Sequence, residues 1–200
     1  MVEKNVIEEL IDVSLSMFRK NFLGIFHGSL SAKIEEDHFL INKRESIFDE
    51  MTENDFIEIY SKPDYRWKQA SLDAEIHNNI YKYVSSAKYI AYTMPPYATA
   101  YSLDISTIRP KDYFGYQTFG ELTIYDPKNF DTWYERAPNE IYRYFKEHET
   151  NIMVIKGYGV YTCHRDLPTL VKQIAILENS CRLLHFSQEH SAGRKNFSLN

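Results

Sequence analysis

The segment IAYTMPPYATAYS, residues 90–102, decides how this chain folds. The apolar run over residues 88–94 predicts a buried strand. Two consecutive prolines end that strand, because proline has no amide hydrogen to give to a strand ladder. The residues that follow, 97–103, predict a short helix. A buried strand that stops abruptly and leads into a helix is typical of a domain that mixes strands and helices.

Helical and strand patterns flank this segment on both sides. Apolar residues at intervals of three and four predict helices over residues 7–18 and 167–184, and alternation predicts strands elsewhere. Further strands are predicted over residues 29–34, 38–41, 56–60, 121–125 and 151–163, the last broken at Gly157 and Gly159, and further helices over residues 71–84 and from Pro138 to Glu147.

The length of 200 residues suits a single domain with a sizeable core. Strands and helices mixed along such a chain predict an α/β fold, a three-layer α/β/α sandwich. We expect the domain to span residues 1–186, and we expect the polar residues 187–200 to form a frayed C-terminal tail.

Composition excludes several classes of function. The net charge of −5 and the absence of a basic stripe argue against nucleic acid as a partner. No apolar run is long enough to span a bilayer, and the acidic, amphipathic residues 1–10 do not resemble a signal peptide. Cys163 and Cys181 do not make a disulfide framework. These features predict a cytoplasmic protein without a membrane partner.

Motifs in collinear order over residues 5–186 resemble those of the class II aldolase/adducin-head family. Residues 90–102 are similar to its pattern VVHTHPPYATALS. Four other segments are similar to its motifs TxGNIS, LTPEDL, SSExxxH and RGHGV: residues 26–31 (FHGSLS), 51–56 (MTENDF), 71–77 (SLDAEIH) and 155–160 (IKGYGV).

The resemblance implies a central mixed, largely antiparallel sheet and a homotetramer with active sites between subunits. Enzymes of the family include L-fuculose-phosphate aldolase and L-ribulose-phosphate 4-epimerase. They hold zinc with three histidines and act on ketose phosphates, whereas adducin heads share the fold without the activity. The histidine positions match Tyr92, Met94 and Tyr158 here.

That replacement removes the ligands that zinc needs. Zinc takes imidazole, thiolate or carboxylate ligands, and a neutral phenol is a poor ligand at pH 7. A thioether suits softer metals such as Cu(I). We therefore expect no metal cofactor, although zinc is expected for the family. We favour the interpretation that the three larger residues fill a vacant pocket over the alternative of a different metal site.

The acid–base position of the family is partly kept. Asp73 falls where the aldolases have glutamate, and it shares a helix face with His77. The two could act as an acid–base pair, or Asp73 could favour the helix start while His77 packs; we favour the second interpretation. Tyr113 matches a tyrosine that reaches a neighbouring active site in the aldolases. Lys156 is either a Schiff-base candidate or a substitute for the arginine common there.

The resemblance also places a phosphate site at Gly28, Ser29, Arg44 and Ser71. Arg44 could supply charge to a small anionic or sugar-phosphate ligand, but Glu45 beside it would oppose an anion. A solvated charged loop is the alternative.

Two hypotheses follow. The first is a divergent member without zinc-dependent aldol cleavage that acts as a binding or assembly module. The second is a sugar-phosphate aldolase or epimerase with a rebuilt active site. The sequence favours the first, but the fold alone cannot decide between them, because function belongs to the site.

Overall fold

The computed structural model describes residues 2–25 and 27–195. Within these ranges the strands are β1 (Ser29–Lys33), β2 (His38–Asn42), β3 (Phe56–Tyr60), β4 (Tyr89–Thr93), β5 (Thr107–Ile108), β6 (Leu122–Tyr125), β7 (Ile152–Ile155) and β8 (Gly159–His164). The helices are α1 (Val2–Arg19), α2 (Ala74–Tyr83), α3 (Pro96–Asp104), α4 (Tyr113–Phe119), α5 (Trp133–Glu147) and α6 (Leu167–Lys195).

The strands form one eight-stranded sheet in the order β3-β2-β1-β4-β8-β7-β6-β5. Neighbouring strands are antiparallel, except that β6 and β7 are parallel. In the middle of the sheet, Tyr92 of β4 is paired with Ser29 of β1 on one side and Tyr161 of β8 on the other. The predicted mixed, largely antiparallel sheet is confirmed, and the strand that the prolines end is central to it.

Helices cover both faces of the sheet. Because successive side chains of a strand point to opposite faces, Ile90 and Tyr92 of β4 pack into a core with α2 and α5, whereas Tyr89 and Ala91 pack into a core with α1 and α6. A third cluster joins α3 and α6 to β7 and β8 through residues that include Ala98. This arrangement confirms the predicted α/β/α sandwich.

Two predicted boundaries are wrong. Pro138 does not open a helix, since α5 begins at Trp133 and contains Pro138 in its interior. Its buried side chains recur at helical spacing from Trp133 to Phe145, and their burial outweighs the hydrogen bond that proline removes. At the other end of the chain, α6 continues to Lys195, beyond the helix end predicted at residue 184, since extending a helix adds one hydrogen bond per residue. The predicted tail residues 196–200 lie outside the described residues.

The sequence did not predict α4 or β5, which are short and lack a clear apolar period. None of the described helices is long and apolar enough to cross a membrane.

The start of α3 depends on a side chain from α6. Pro95 precedes the helix and gives no side-chain cap, so the first amide groups of α3 need another acceptor. The two carboxylate oxygens of Glu178 accept hydrogen bonds from the backbone N–H of Tyr97, at 3.0 Å, and of Ala98, at 2.9 Å. Glu178 thereby joins the segment after the prolines to the last helix.

We expect Glu178→Ala to lower the free energy of unfolding by about 2 to 4 kcal/mol, because it leaves one buried and one partly buried N–H group without an acceptor. Urea unfolding followed by circular dichroism measures this loss. Glu178→Gln is the matched control: its amide oxygen still accepts one bond, so we expect it to lose less. An alanine variant as stable as the unmodified protein would contradict this account of α3.

Candidate functional site

Most of the residues that the sequence predicted for the site converge on one cavity. It has a volume of about 230 Å³ and lies where the start of β1, the end of β2 and the start of α2 meet. The predicted ligand residues Gly28, Arg44 and Ser71 line it, together with Asp73 and Tyr92. The remaining lining residues are His27, Asn42, Ser46, Phe48, Leu72 and Tyr134.

Backbone geometry fixes the wall of this cavity. Gly28 has a φ of +131°, and a Cβ atom there would lie 2.4 Å from a methyl carbon of Leu23, so only glycine fits. The buried side-chain oxygen of Asn42 accepts a hydrogen bond from the Leu30 N–H at 2.9 Å. The backbone carbonyl of Asn42 accepts another from the Ser71 N–H. These bonds hold the ends of β1 and β2 against the segment that enters α2.

A stack of aromatic rings lies beside the cavity. The Tyr92 ring lies 4.9 Å from each of the rings of Tyr158 and Tyr161, at interplanar angles of 26° and 20°. The Tyr92 hydroxyl donates a hydrogen bond of 2.8 Å to the Tyr158 carbonyl. Met94 and Tyr92 both crowd Gly159, where a Cβ atom would lie 3.2 and 3.0 Å from them. The structure therefore brings the three family zinc positions together.

The side chains at these positions do not fit a zinc ion. Burial raises the pKa of both Tyr92 and Tyr158 well above the ordinary tyrosine value, so their phenols stay protonated. The Tyr92 hydroxyl proton is already directed to a carbonyl oxygen. Met94 offers a thioether, which is a soft ligand. The group is two packed phenols and a thioether, which are poor ligands for zinc.

Asp73 forms part of the cavity wall and is buried. It lies directly before α2, and its carboxylate does not cap that helix. The carboxylate accepts a hydrogen bond of 2.7 Å from the Ser29 hydroxyl instead. Burial raises the pKa of Asp73, and the Ser29 bond and the nearby Tyr161 hydroxyl oppose that rise in part. Asp73 therefore binds a proton at a higher pH than an exposed aspartate does.

His77 lies one helical turn further into the protein. Its Nε2 atom is 2.9 Å from the Ser29 hydroxyl and its Nδ1 atom is 2.6 Å from the Ser31 hydroxyl. Burial lowers the pKa of His77 to about 3, so its ring is neutral at physiological pH. Asp73 and His77 are the predicted pair on one helix face, and Ser29 links them.

Other predicted residues lie elsewhere. Tyr113 is the first residue of α4 and is 71% exposed, and it does not line the cavity of its own chain. The Lys156 amine lies 3.7 Å from the Asp126 carboxylate, outside the residues that line the cavity. Ser29 is buried behind the wall, where its hydroxyl serves Asp73.

The sequence missed five polar or aromatic lining residues, one of which is Phe48 of the buried core. Two of them have a local signal: His27 precedes Gly28, and Asn42 ends an apolar strand. Ser46 and Tyr134 have none, because Ser46 follows a charged loop and Tyr134 comes from α5, far along the chain.

Comparison with known proteins agrees with this architecture. The family model described as "Class II Aldolase and Adducin N-terminal domain" matches residues 8–185, nearly the whole chain.

Solved structures with the same fold are similar over most of their length. An L-fuculose-1-phosphate aldolase from Thermus thermophilus has a TM-score of 0.83 at 19% identity, covering 94% of this chain and 98% of that one. YgbL from Escherichia coli, described as "a putative aldolase/epimerase/decarboxylase", has a TM-score of 0.77 at 16% identity, covering 93% and 91%. A sugar-phosphate aldolase from Thermotoga maritima has a TM-score of 0.73 at 13% identity, covering 94% and 97%. At these identities the likeness shows the fold alone.

Proposed function

Because the chain belongs to the class II aldolase and adducin N-terminal domain family, we propose that it is a divergent, metal-independent member. Its cavity binds a small anionic ligand of the sugar-phosphate type, and the protein acts as a binding and assembly module. One observation carries this proposal. Tyrosine rings are stacked at the positions that the resemblance matches to zinc ligands, directly beside a cavity lined by polar side chains and by the positively charged side chain of Arg44.

Zinc-dependent aldol cleavage needs a charge that these residues do not supply. Cleavage beside a ketone places negative charge on oxygen, and a metal ion stabilises that charge as a Lewis acid. The neutral phenols of Tyr92 and Tyr158 hold no such ion, and one of them already donates to a backbone carbonyl. The protein therefore lacks the zinc-dependent reaction of its relatives.

The cavity has the charge and size for a small anion. Arg44 is exposed at the cavity and has no carboxylate partner within 4 Å in the described part of the chain. Its guanidinium can donate to a phosphate or carboxylate in bidentate geometry. Burial raises the pKa of Asp73, which also lines the cavity, and its protonation reduces repulsion of an anion as the pH falls. A volume of about 230 Å³ is smaller than that of cavities for drug-sized ligands.

Isothermal titration with inorganic phosphate and with L-fuculose 1-phosphate tests this function. We expect binding without added metal, and we expect Arg44→Met to weaken it about tenfold or more, because a charge-assisted hydrogen bond is lost. Arg165→Met is the matched control, since Arg165 lines a different cavity. Binding that requires zinc, or binding that Arg44→Met and Arg165→Met weaken equally, would overturn the proposal.

A rebuilt enzyme is the second candidate, favoured by the position of Asp73. A buried carboxyl group with a raised pKa in a cavity wall is suited to general acid–base work. Turnover of L-fuculose 1-phosphate by chelator-treated protein, abolished by Asp73→Asn, would favour this candidate over a binding module.

The assembly role rests on exposed aromatic residues. Tyr113, Phe114 and Tyr116 of α4 are 71%, 64% and 62% exposed, an unusual concentration of large apolar side chains on one short helix. We propose that α4 contributes to self-association, with a homotetramer expected from the family. The cytoplasm is the proposed location, and the buried, unpaired thiols Cys163 and Cys181 suit that reducing compartment.

Sedimentation velocity tests self-association. We expect the unmodified protein to sediment as an oligomer and the double variant Tyr113→Ser, Phe114→Ser to shift toward the monomer at equal concentration. Tyr65→Ser is the control, because Tyr65 is 74% exposed but belongs to another part of the surface. A double variant that keeps the unmodified protein's sedimentation coefficient would exclude α4 from the interface.

A further inference from the structure

A continuous row of hydrogen-bonding side chains runs from the cavity wall into the core. Asp73 lies directly before α2, and His77 and Tyr81 follow within it at intervals of four residues, so the three share one face of the helix. Ser29 and Ser31 are two residues apart on β1 and share one face of that strand. The two periods bring the side chains together in the alternating order Asp73, Ser29, His77, Ser31, Tyr81, called here the relay.

Every link in the relay is short. The Ser29 hydroxyl lies 2.7 Å from the Asp73 carboxylate and 2.9 Å from Nε2 of His77. The Ser31 hydroxyl lies 2.6 Å from Nδ1 of His77 and 2.6 Å from the Tyr81 hydroxyl. All five side chains are buried, so water does not compete for these bonds.

With Asp73 ionised, the protons of the relay can be arranged in one way only. A carboxylate accepts hydrogen bonds and donates none, so Ser29 must donate to it. The Ser29 oxygen then accepts from Nε2–H of His77. Nδ1 is left as an acceptor and receives the Ser31 proton, and Ser31 accepts from Tyr81. Every donor points toward the carboxylate.

With Asp73 protonated, the opposite arrangement becomes available. The acid proton on the oxygen that faces Ser29 can donate to that hydroxyl, and Ser29 then donates to Nε2 of His77. The Nδ1–H group donates to Ser31, and Ser31 donates to Tyr81. The Tyr81 hydroxyl has an acceptor in the Lys88 backbone carbonyl, 3.4 Å away. The row therefore has a defined end in either direction.

We propose that the relay couples the protonation of Asp73 to the tautomer of His77, with the proton on Nε2 when Asp73 is ionised and on Nδ1 when it is protonated. The protein takes up one proton in the change. Ser29 gives its proton to Asp73, Nε2 gives its proton to Ser29, Ser31 gives its proton to Nδ1, and Tyr81 gives its proton to Ser31. The one proton taken up from solvent completes the Tyr81 hydroxyl at the partly buried end of the relay, beside the Lys88 carbonyl. His77 is thus a positioning residue for the cavity carboxylate.

Asp73 is the residue of the relay that changes charge with pH. Burial keeps the surrounding phenols and thiol neutral and keeps His77 neutral down to about pH 3. Among the described residues, the charged or titratable groups that face the relay are Tyr89 and Tyr92 of β4, Tyr161 and Cys163 of β8, Tyr158 after β7, and, in the cavity lining, Arg44, His27 and Tyr134.

Nitrogen-15 NMR of the full-length, histidine-labelled protein tests the relay, because the two ring nitrogens have different shifts when protonated and when bare. His77→Gln assigns the His77 signals by their loss. We expect a pH titration to move the His77 proton from Nε2 at high pH to Nδ1 at low pH. We expect Ser29→Ala to abolish the change, since it removes the link to Asp73. Asp73→Asn should also abolish it, since it removes the titrating group.

If Ser29→Ala does not fold, Tyr81→Phe provides a second test of the relay. Without the Tyr81 hydroxyl, Ser31 has no acceptor in the reversed order, so we expect His77 to keep its proton on Nε2 throughout. Ser46→Ala is the matched control: it removes a cavity hydroxyl outside the relay and should preserve the switch. A His77 tautomer that does not change with pH in the unmodified protein, or that still switches in Ser29→Ala or Asp73→Asn, would overturn the proposal. This result is independent of whether the cavity binds phosphate.

Discussion

Replacing Tyr92, Met94 and Tyr158 together with histidine is expected to give a protein that binds one zinc ion per chain, where the unmodified chain binds none. The backbone already brings these positions together, as the adjacent rings of Tyr92 and Tyr158 and the contact of Tyr92 and Met94 with Gly159 show. Three imidazoles and a water molecule are a common zinc ligand set in enzymes. Metal analysis after exhaustive dialysis measures the stoichiometry.

The control for this experiment is a protein with the same number of added histidines on separate elements. Tyr65→His, Tyr113→His and Phe130→His serve this purpose, because all three aromatic residues are exposed and lie far apart in the sequence. We expect this control to bind no zinc stoichiometrically. A zinc-free cavity triple variant would show that the inherited geometry is lost, and stoichiometric zinc in the unmodified protein would contradict metal independence itself.

Acid is expected to destabilise the protein through His77. The unfolded chain binds a proton at this residue near pH 6.5, whereas the folded protein binds it only near pH 3. The stabilising contribution of neutral His77 is therefore complete above pH 6.5 and is lost as the pH falls toward 3. The loss is about 1.4 kcal/mol per pH unit, on the order of 5 kcal/mol in all. Urea unfolding at a series of pH values measures it.

Asp73 acts in the opposite direction, so the two effects must be separated. Its pKa is raised on folding, so its contribution is complete below the unfolded value near 3.9 and is lost as the pH rises through the folded value. We therefore expect the free energy of unfolding to fall most steeply with decreasing pH in Asp73→Asn. We expect the double variant Asp73→Asn, His77→Gln to show a smaller fall. His148→Gln is the control, because His148 lies at the surface. If the free energy of unfolding depends on pH equally with and without His77, the conclusion that His77 is buried in its neutral form would be contradicted.

The fold could be predicted because its signals are local. Apolar runs and proline breaks mark β4 and α3, and helical spacing marks α6. The predicted start of α5 at Pro138 is wrong because the preference of proline for helix starts is a local rule. The true start depends on the burial of Trp133 against residues that are distant in the sequence. The sequence also showed tyrosine and methionine at the three positions that the resemblance matches to zinc ligands, since this concerns only the identity of three residues.

The site itself depends on contacts between distant parts of the chain. Resemblance named Asp73, Ser29 and Arg44, but not that Ser29 would bind Asp73 from behind the cavity wall, a contact across 44 residues. Nor did it indicate that Tyr134 of α5 would close the cavity.

The sequence alone determined which family the chain resembles, where its central strand ends, and that phenols and a thioether stand at the positions of metal ligands. Only the tertiary structure decided that these phenols stack, that the Asp73 carboxylate does not cap its helix, and that Ser29 lies within hydrogen-bond distance of both Asp73 and His77. The physical reason is that residue identity and local periodicity are properties of neighbours along the chain. Burial, and the pKa shifts and hydrogen-bond partners that come with it, arise only when β1, β4 and α2 are brought together.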